Sequence, residues 1–192
     1  QILAGLDDMV VQGEAANGQE TLDKLNQGHY DVVLLDISMP GRSGLEILEE
    51  IVGHRPRLPV LILSMHPEEQ YAVRALRAGA AGYLTKASAP QELIGAIRKV
   101  SRGGKYVTAS LAEKLALELD LGAQKQRHET LSNREYQVML MLAWGKSVGE
   151  IASELSLSVK TVSTYRSRVM EKMGMKKNAE LTLYAVNNHL LS

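Results

Sequence analysis

Through the first hundred residues, short aliphatic runs alternate with longer stretches whose apolar positions recur every three to four residues. The short runs, rich in β-branched residues and bounded by turn formers, predict strands at residues 9–13, 32–35, 60–63 and 82–84. The longer stretches predict helices at residues 18–27, 44–52, 68–78 and 90–101, with Pro90 as a first-turn proline and Gly103-Gly104 as the stop. Such alternation builds βα units around a parallel sheet. Residues 105–128 read as a connector, where the spacing of Leu111, Leu115 and Leu119 predicts some helix before a polar stretch at 124–129. Beyond it the pattern is helical only, at residues 133–144, 148–155, 159–173 and 179–188. Ser132 and Glu135 have capping-box spacing, and Ser158 is placed to cap the third of these helices. Only Ser156, Leu157 and Ser158 separate the second helix from the third, which makes the pair a helix-turn-helix candidate.

A length of 192 residues suits two ordinary domains, and 45% hydrophobic with 23% charged residues excludes disordered and fibrous classes. With no cysteine, disulfides, thiolate metal sites and cysteine nucleophiles drop out together. No apolar run approaches the ~18 residues of a membrane span, and the first residues lack the pattern of a signal peptide, so a cytoplasmic protein without membrane partners is expected. The net charge of zero conceals an asymmetry: residues 1–103 hold ten Lys and Arg against thirteen Asp and Glu, residues 129–192 eight against six. Within residues 158–177, six basic residues face only Glu171. That excess suits a polyanion, although a solvated helix face has the same look.

The chemistry of the first half lies where its strands end. Residues 32–35 run into Asp36-Ile37-Ser38-Met39-Pro40-Gly41, residues 60–63 into Ser64, and residues 82–85 into Lys86. A carboxylate, a hydroxyl and an amine therefore leave the carboxyl edge of one sheet, where open α/β sheets bind ligands. A strand-ending aspartate also caps turns, so position alone leaves both readings open. The segments VVLLDISMPGRSGLE, VLILSMHPEEQYAVRALRAGAAGYLTK and APQELIGAIRKVSRGG resemble the third to fifth βα units of response-regulator receiver domains. The resemblance implies an α/β flavodoxin-like fold. Asp36 would be the phosphoacceptor, Ser64 and Lys86 would contact the phosphoryl group, and Mg2+ would sit on Asp36 and the backbone carbonyl of Ser38. Ser64 and Tyr83 would form a switch, Tyr83 moving inward as Ser64 turns to the phosphoryl oxygens; simple packing of an aromatic at a strand end is the other reading. The family's first strand ends in an acidic pair that binds the metal, and no such pair is found. Asp7 and Asp8 precede a strand instead of following one, and residues 1–5 read as a helix end, so the chain is expected to lack an amino-terminal strand and most of a helix.

Residues 131–192 resemble the four-helix LuxR-type domain along their whole length, and with the receiver segments the chain is similar to the NarL/FixJ (LuxR-type) family of two-component response regulators. The expected domains are a receiver at 1–103, a linker at 104–128 and an all-α helix-turn-helix domain at 129–192. Val159, Val162, Val169 and Met173 read as the buried face of the third helix, packed by Met139, Met141 and Leu142 of the first. The resemblance puts Lys160, Thr161, Tyr165 and Arg166 mainly on phosphates and Ser163, Thr164 and Ser167 on bases, with Arg168 on the same exposed face. The last helix is either a dimer interface on DNA or the closure of the monomer core. The implied partners are a sensor histidine kinase, double-stranded promoter DNA, RNA polymerase and, once phosphorylated, a second copy. The expected function is regulation of transcription, not catalysis. A receiver serving only as a phosphate-independent dimerisation module is the rival reading. An aspartyl-phosphate hydrolase of the haloacid dehalogenase kind would need an aspartate at Ser38.

Overall fold

The computed structural model describes residues 2–3, 5–39, 41–120 and 126–191. Gln1, Pro40 and the polar residues 124 and 125 of the expected connector lie outside the described residues. The chain divides into two compact units, Gln1–Leu111 and Ala112–Ser192.

In the first unit, helix α1 (Gly18–Gln27), strand β1 (Val33–Asp36), helix α2 (Gly44–His54), strand β2 (Val60–Ser64), helix α3 (Glu68–Arg77), strand β3 (Gly82–Thr85) and helix α4 (Pro90–Ser101) follow in order. The strands make a parallel sheet in the order β1-β2-β3, with Val33 opposite Val60 and Ser64 opposite Thr85, so all three strands end at one edge. The central strand β2 is the most enclosed, as a parallel strand covered on both faces must be. Leu61 and Leu84 of the sheet pack with Ala96 and Ile97 of α4, and Leu3, Met9 and Tyr106 join that cluster from outside the regular elements. Full burial of a leucine such as Leu61 or Leu84 contributes about 1.5–3 kcal/mol.

Two expectations fail at the amino end. Residues 9–13 form no strand among the described residues, and Val10 is 82% exposed. A strand exists only when its backbone groups find a ladder, and no described segment supplies one there. Of the expected helix end at residues 1–5, the described residues Ile2, Leu3 and Gly5 lie in turns instead, and just beyond them Leu6 N donates to Leu3 O and Met9 N to Leu6 O.

The first unit also runs past residue 103. Lys105 Nζ donates to Ala80 O at 2.7 Å, Tyr106 pairs in parallel with Gly82, and the Tyr106 hydroxyl donates to Glu92 Oε1 at 2.7 Å. Helix α5 (Ala109–Asp120) then realises the helical periodicity expected in the connector.

The second unit holds a short 3-10 helix at Arg127–Thr130, then α6 (Asn133–Ala143), α7 (Val148–Glu154), α8 (Val159–Met173) and α9 (Asn178–Asn187). Ser132 and Glu135 close the capping box, and Ser158 Oγ accepts from Thr161 N at 3.0 Å to start α8. Ser156, at φ 54°, takes the left-handed turn that lets α8 leave α7 at once. Gly174, at φ 66°, ends α8 in the left-handed conformation that glycine adopts without strain. Met139, Met141, Leu142, Val162, Val169 and Met173 are buried, joined by Met170. Val159 departs from expectation and is 57% exposed. It is the first residue of α8, and because helical side chains lean toward the amino end, its side chain projects beyond the turn that its neighbours cover.

Candidate functional site

At the carboxyl edge of the sheet, Asp36 closes β1 with its carboxylate partly exposed. Lys86 Nζ reaches Asp36 Oδ2 at 2.5 Å, and the backbone N–H of Ser38 donates to Oδ1 at 2.8 Å. Sheet register brings the lysine there: Lys86 N donates to Ser64 O at 2.7 Å, extending the β2–β3 ladder by one step. Gly44 permits the close return of α2, because a Cβ at that position would lie 2.2 Å from Asp36 O and 2.7 Å from Ile37 Cα. The carboxylate thus projects from a backbone fixed on both sides, with one oxygen on a cation and the other on an amide.

Ser64 is fully buried, and its Oγ accepts from His66 N at 3.0 Å. Tyr83 is 1% exposed and donates its hydroxyl to His66 O at 2.9 Å, so the aromatic is packed inside the fold with the Ser64 hydroxyl still bonded to His66. Burial pushes the Tyr83 phenol well above its ordinary range, and the charges of Glu68, Glu69 and Asp36 add to that against a hydrogen bond with Ser64. Tyr83 is therefore a neutral donor throughout the physiological range.

Sequence reasoning missed His66. Its N–H and carbonyl hold Ser64 and Tyr83, its ring Nε2 lies 3.3 Å from Ser38 Oγ, and the ring packs 5.0 Å from that of Tyr71. The one signal in the sequence was its offset, two residues past a strand-ending hydroxyl. Among the described residues no group of three or more His, Asp or Glu could hold a metal, and Asp8 is engaged by Arg98 through two hydrogen bonds of 2.8 and 3.0 Å. Asp36 and the Ser38 carbonyl by themselves do not complete a Mg2+ site, which takes six oxygens.

In the second unit, Lys160, Ser163, Thr164, Ser167 and Arg168 are exposed along α8, and Thr161, Tyr165 and Arg166 are half-buried. The Thr164 and Ser167 hydroxyls donate back to the carbonyls of Lys160 and Ser163, at 3.0 and 3.1 Å, and so offer lone pairs outward. Arg166 is braced, its Nε donating to Asn178 Oδ1 at the start of α9. Helix α9 has two faces: Leu181 and Ala185 are buried, whereas Leu183 and Val186 are 63% and 53% exposed. It closes the core and still leaves an apolar stripe outside. No helix among the described residues is long and apolar enough to cross a membrane.

Residues 1–98 match the response regulator receiver domain, and residues 129–185 match the luxR family of bacterial regulatory proteins. The response regulator UvrY of Escherichia coli K12 is 37% identical over 191 residues, which cover 99% of this chain and 88% of that protein. Among solved structures, the RcsB response regulator of Salmonella typhimurium is 26% identical with a TM-score of 0.68, covering 97% of this chain and 88% of the other. RcsB from Salmonella enterica serovar Typhimurium bound to promoter rprA in the presence of the phosphomimetic BeF3- is 25% identical with a TM-score of 0.60, covering 95% and 88%. The parallel sheet with its strand-ending Asp36, the helix-turn-helix and these matches place the chain in the NarL/FixJ family of two-component response regulators, each a receiver domain joined to a LuxR-type domain.

Proposed function

We propose that Asp36 accepts a phosphoryl group from the phosphohistidine of a sensor kinase and that this event governs dimerisation and promoter binding through α8. One observation carries the reading: Asp36 is held between Lys86 Nζ and the Ser38 amide at the edge where Ser64 and Tyr83 also meet. A carboxylate oxygen attacks phosphorus in line, the O–P bond forms as the P–N bond breaks, and the electron pair leaves with the imidazole. Lys86 offsets charge on the phosphoryl oxygens, and the Ser64 hydroxyl is placed to turn toward them. Mg2+ would supply further neutralisation at Asp36 and the Ser38 carbonyl, a site that the described residues do not by themselves complete.

In the second unit Lys160, Thr161, Tyr165 and Arg168 would position α8 on phosphates, while Ser163, Thr164 and Ser167 meet base edges in the major groove. Arg166 would reach a phosphate only from its brace on Asn178. RcsB, solved on promoter DNA, is the relative whose likeness supports this reading. The exposed stripe of α9 suits a second copy, and RNA polymerase is the further partner of a cytoplasmic transcription regulator of this kind.

The test is to incubate full-length protein with acetyl phosphate and Mg2+ and to follow both its mass and its binding to promoter fragments. A single phosphoryl increment is expected, lost in Asp36→Asn together with the gain in DNA affinity. An undiminished increment in Asp36→Asn would overturn the assignment.

A further inference from the structure

Glu68 opens α3 two residues after His66, whose N–H rests on Ser64 Oγ and whose carbonyl receives the Tyr83 hydroxyl. The residue between them is Pro67, at φ −57°, so its ring leaves little slack between the movement of His66 and that of Glu68. On its other side, Glu68 Oε2 accepts from Thr108 Oγ1 at 2.7 Å. The same threonine oxygen accepts from Leu111 N at 3.1 Å, which makes Thr108 the cap of α5. Glu68 is also near enough to Tyr83 and Tyr106 to add, after burial, to the charges that disfavour their ionisation. One side chain thus touches the cap of the connector helix and lies within electrostatic reach of the switch tyrosine.

We propose that Glu68 is a positioning residue that passes the state of the Asp36 site to the amino end of α5 through Thr108. The proposal rests on the reading of Asp36 as phosphoacceptor. An acyl phosphate brings nearly two negative charges. It draws the Ser64 hydroxyl away from His66 N, and its charge repels Glu68. Both effects move the first turn of α3 off Thr108. Freed of that tether, the first turn of α5 opens more often, and the connector leaves the receiver with a looser start.

Hydrogen exchange at the Leu111 amide of full-length protein, with and without acetyl phosphate and Mg2+, reads the relay directly, and the mass of the same samples reports phosphoryl uptake. Phosphorylation should speed this exchange about 5-fold or more, in keeping with ordinary coupling between linked sites. Thr108→Ser, which keeps the hydroxyl, should respond like the natural chain. Glu68→Ala should take up the phosphoryl group normally yet exchange quickly in both states, with a difference below about 2-fold. Unchanged exchange in natural protein that has gained the phosphoryl mass overturns the relay and leaves the Asp36 reading intact. A full response in Glu68→Ala overturns it too, and so does impaired phosphoryl uptake in that variant, which would place Glu68 in the chemistry itself. Failure of the natural chain to gain mass removes the Asp36 reading and the relay with it.

Discussion

Glu135 Oε2 accepts from the Ser132 amide at 2.8 Å and from Lys172 Nζ at 2.6 Å, tying the start of α6 to the end of α8. Burial would push this carboxyl up, but the Lys172 ammonium and the Ser132 amide outweigh it and hold the group below the ordinary glutamate value of 4.5. A carboxyl whose folded value is depressed stabilises the fold above its unfolded value, and that stability is lost as pH falls through the folded one. The second unit should therefore weaken below about pH 4.5, and Glu135→Gln should flatten that slope while costing about 1–3 kcal/mol at neutral pH. Thermal melts of both proteins between acid and neutral pH measure this, and an unchanged slope in the variant would remove Glu135 as its source. At this scale the sequence was legible wherever chemistry follows from chain position. Asp36, Ser64 and Lys86 end strands, and sheet register alone aligns them. His66 was not legible, because its role comes from a loop conformation in which backbone and ring face different partners. Arg166 reads as a free cation until the fold brings Asn178 to it.

Helix α8 has the bounds its periodicity predicts because sharp signals mark both ends, a serine cap at Ser158 and a glycine at Gly174. Residues 9–13 carry an equally clear strand pattern, but no described segment supplies the partner that a strand requires, a condition no local pattern contains. Val159 fits the apolar spacing of α8 and is nonetheless exposed, since spacing describes a face and not where that face runs out. The division of labour along α8 can be tested by salt and by sequence. Lys160→Ala should weaken binding to all DNA sequences and lower the slope of log affinity against log salt by roughly one. Thr164→Ala should instead alter preference at single base positions, each worth about 1–3 kcal/mol. Equal losses on all sequences for both variants, read by fluorescence anisotropy across a set of sites, would show that Thr164 does not meet a base.

Across the whole molecule, charge is divided between the units, with an excess of acids in residues 1–103 and a cluster of cations in residues 158–177. A tethered acidic domain competes with DNA for a basic helix at high effective concentration. Residues 129–192 alone should accordingly bind DNA at least as tightly as the unphosphorylated full-length chain, by a margin of up to about 5- to 150-fold. Markedly weaker binding by the isolated segment would leave dimerisation as the switch. The unit boundary was legible only approximately, because Lys105 and Tyr106 are held by a carbonyl and a strand edge distant in sequence. The outward stripe of Leu183 and Val186 on α9 bears on the DNA as well as on the protein. Two copies joined through the same stripe are related by a two-fold axis, and the paired α8 helices inherit that symmetry. Their preferred operator is then an inverted repeat with a fixed centre-to-centre spacing. Inserting about 5 bp between its halves turns one α8 to the wrong side of the duplex, whereas about 10 bp restores the face but not the reach of the α9 contact. Leu183→Glu would erase this sensitivity, leaving each half of the operator to be occupied independently.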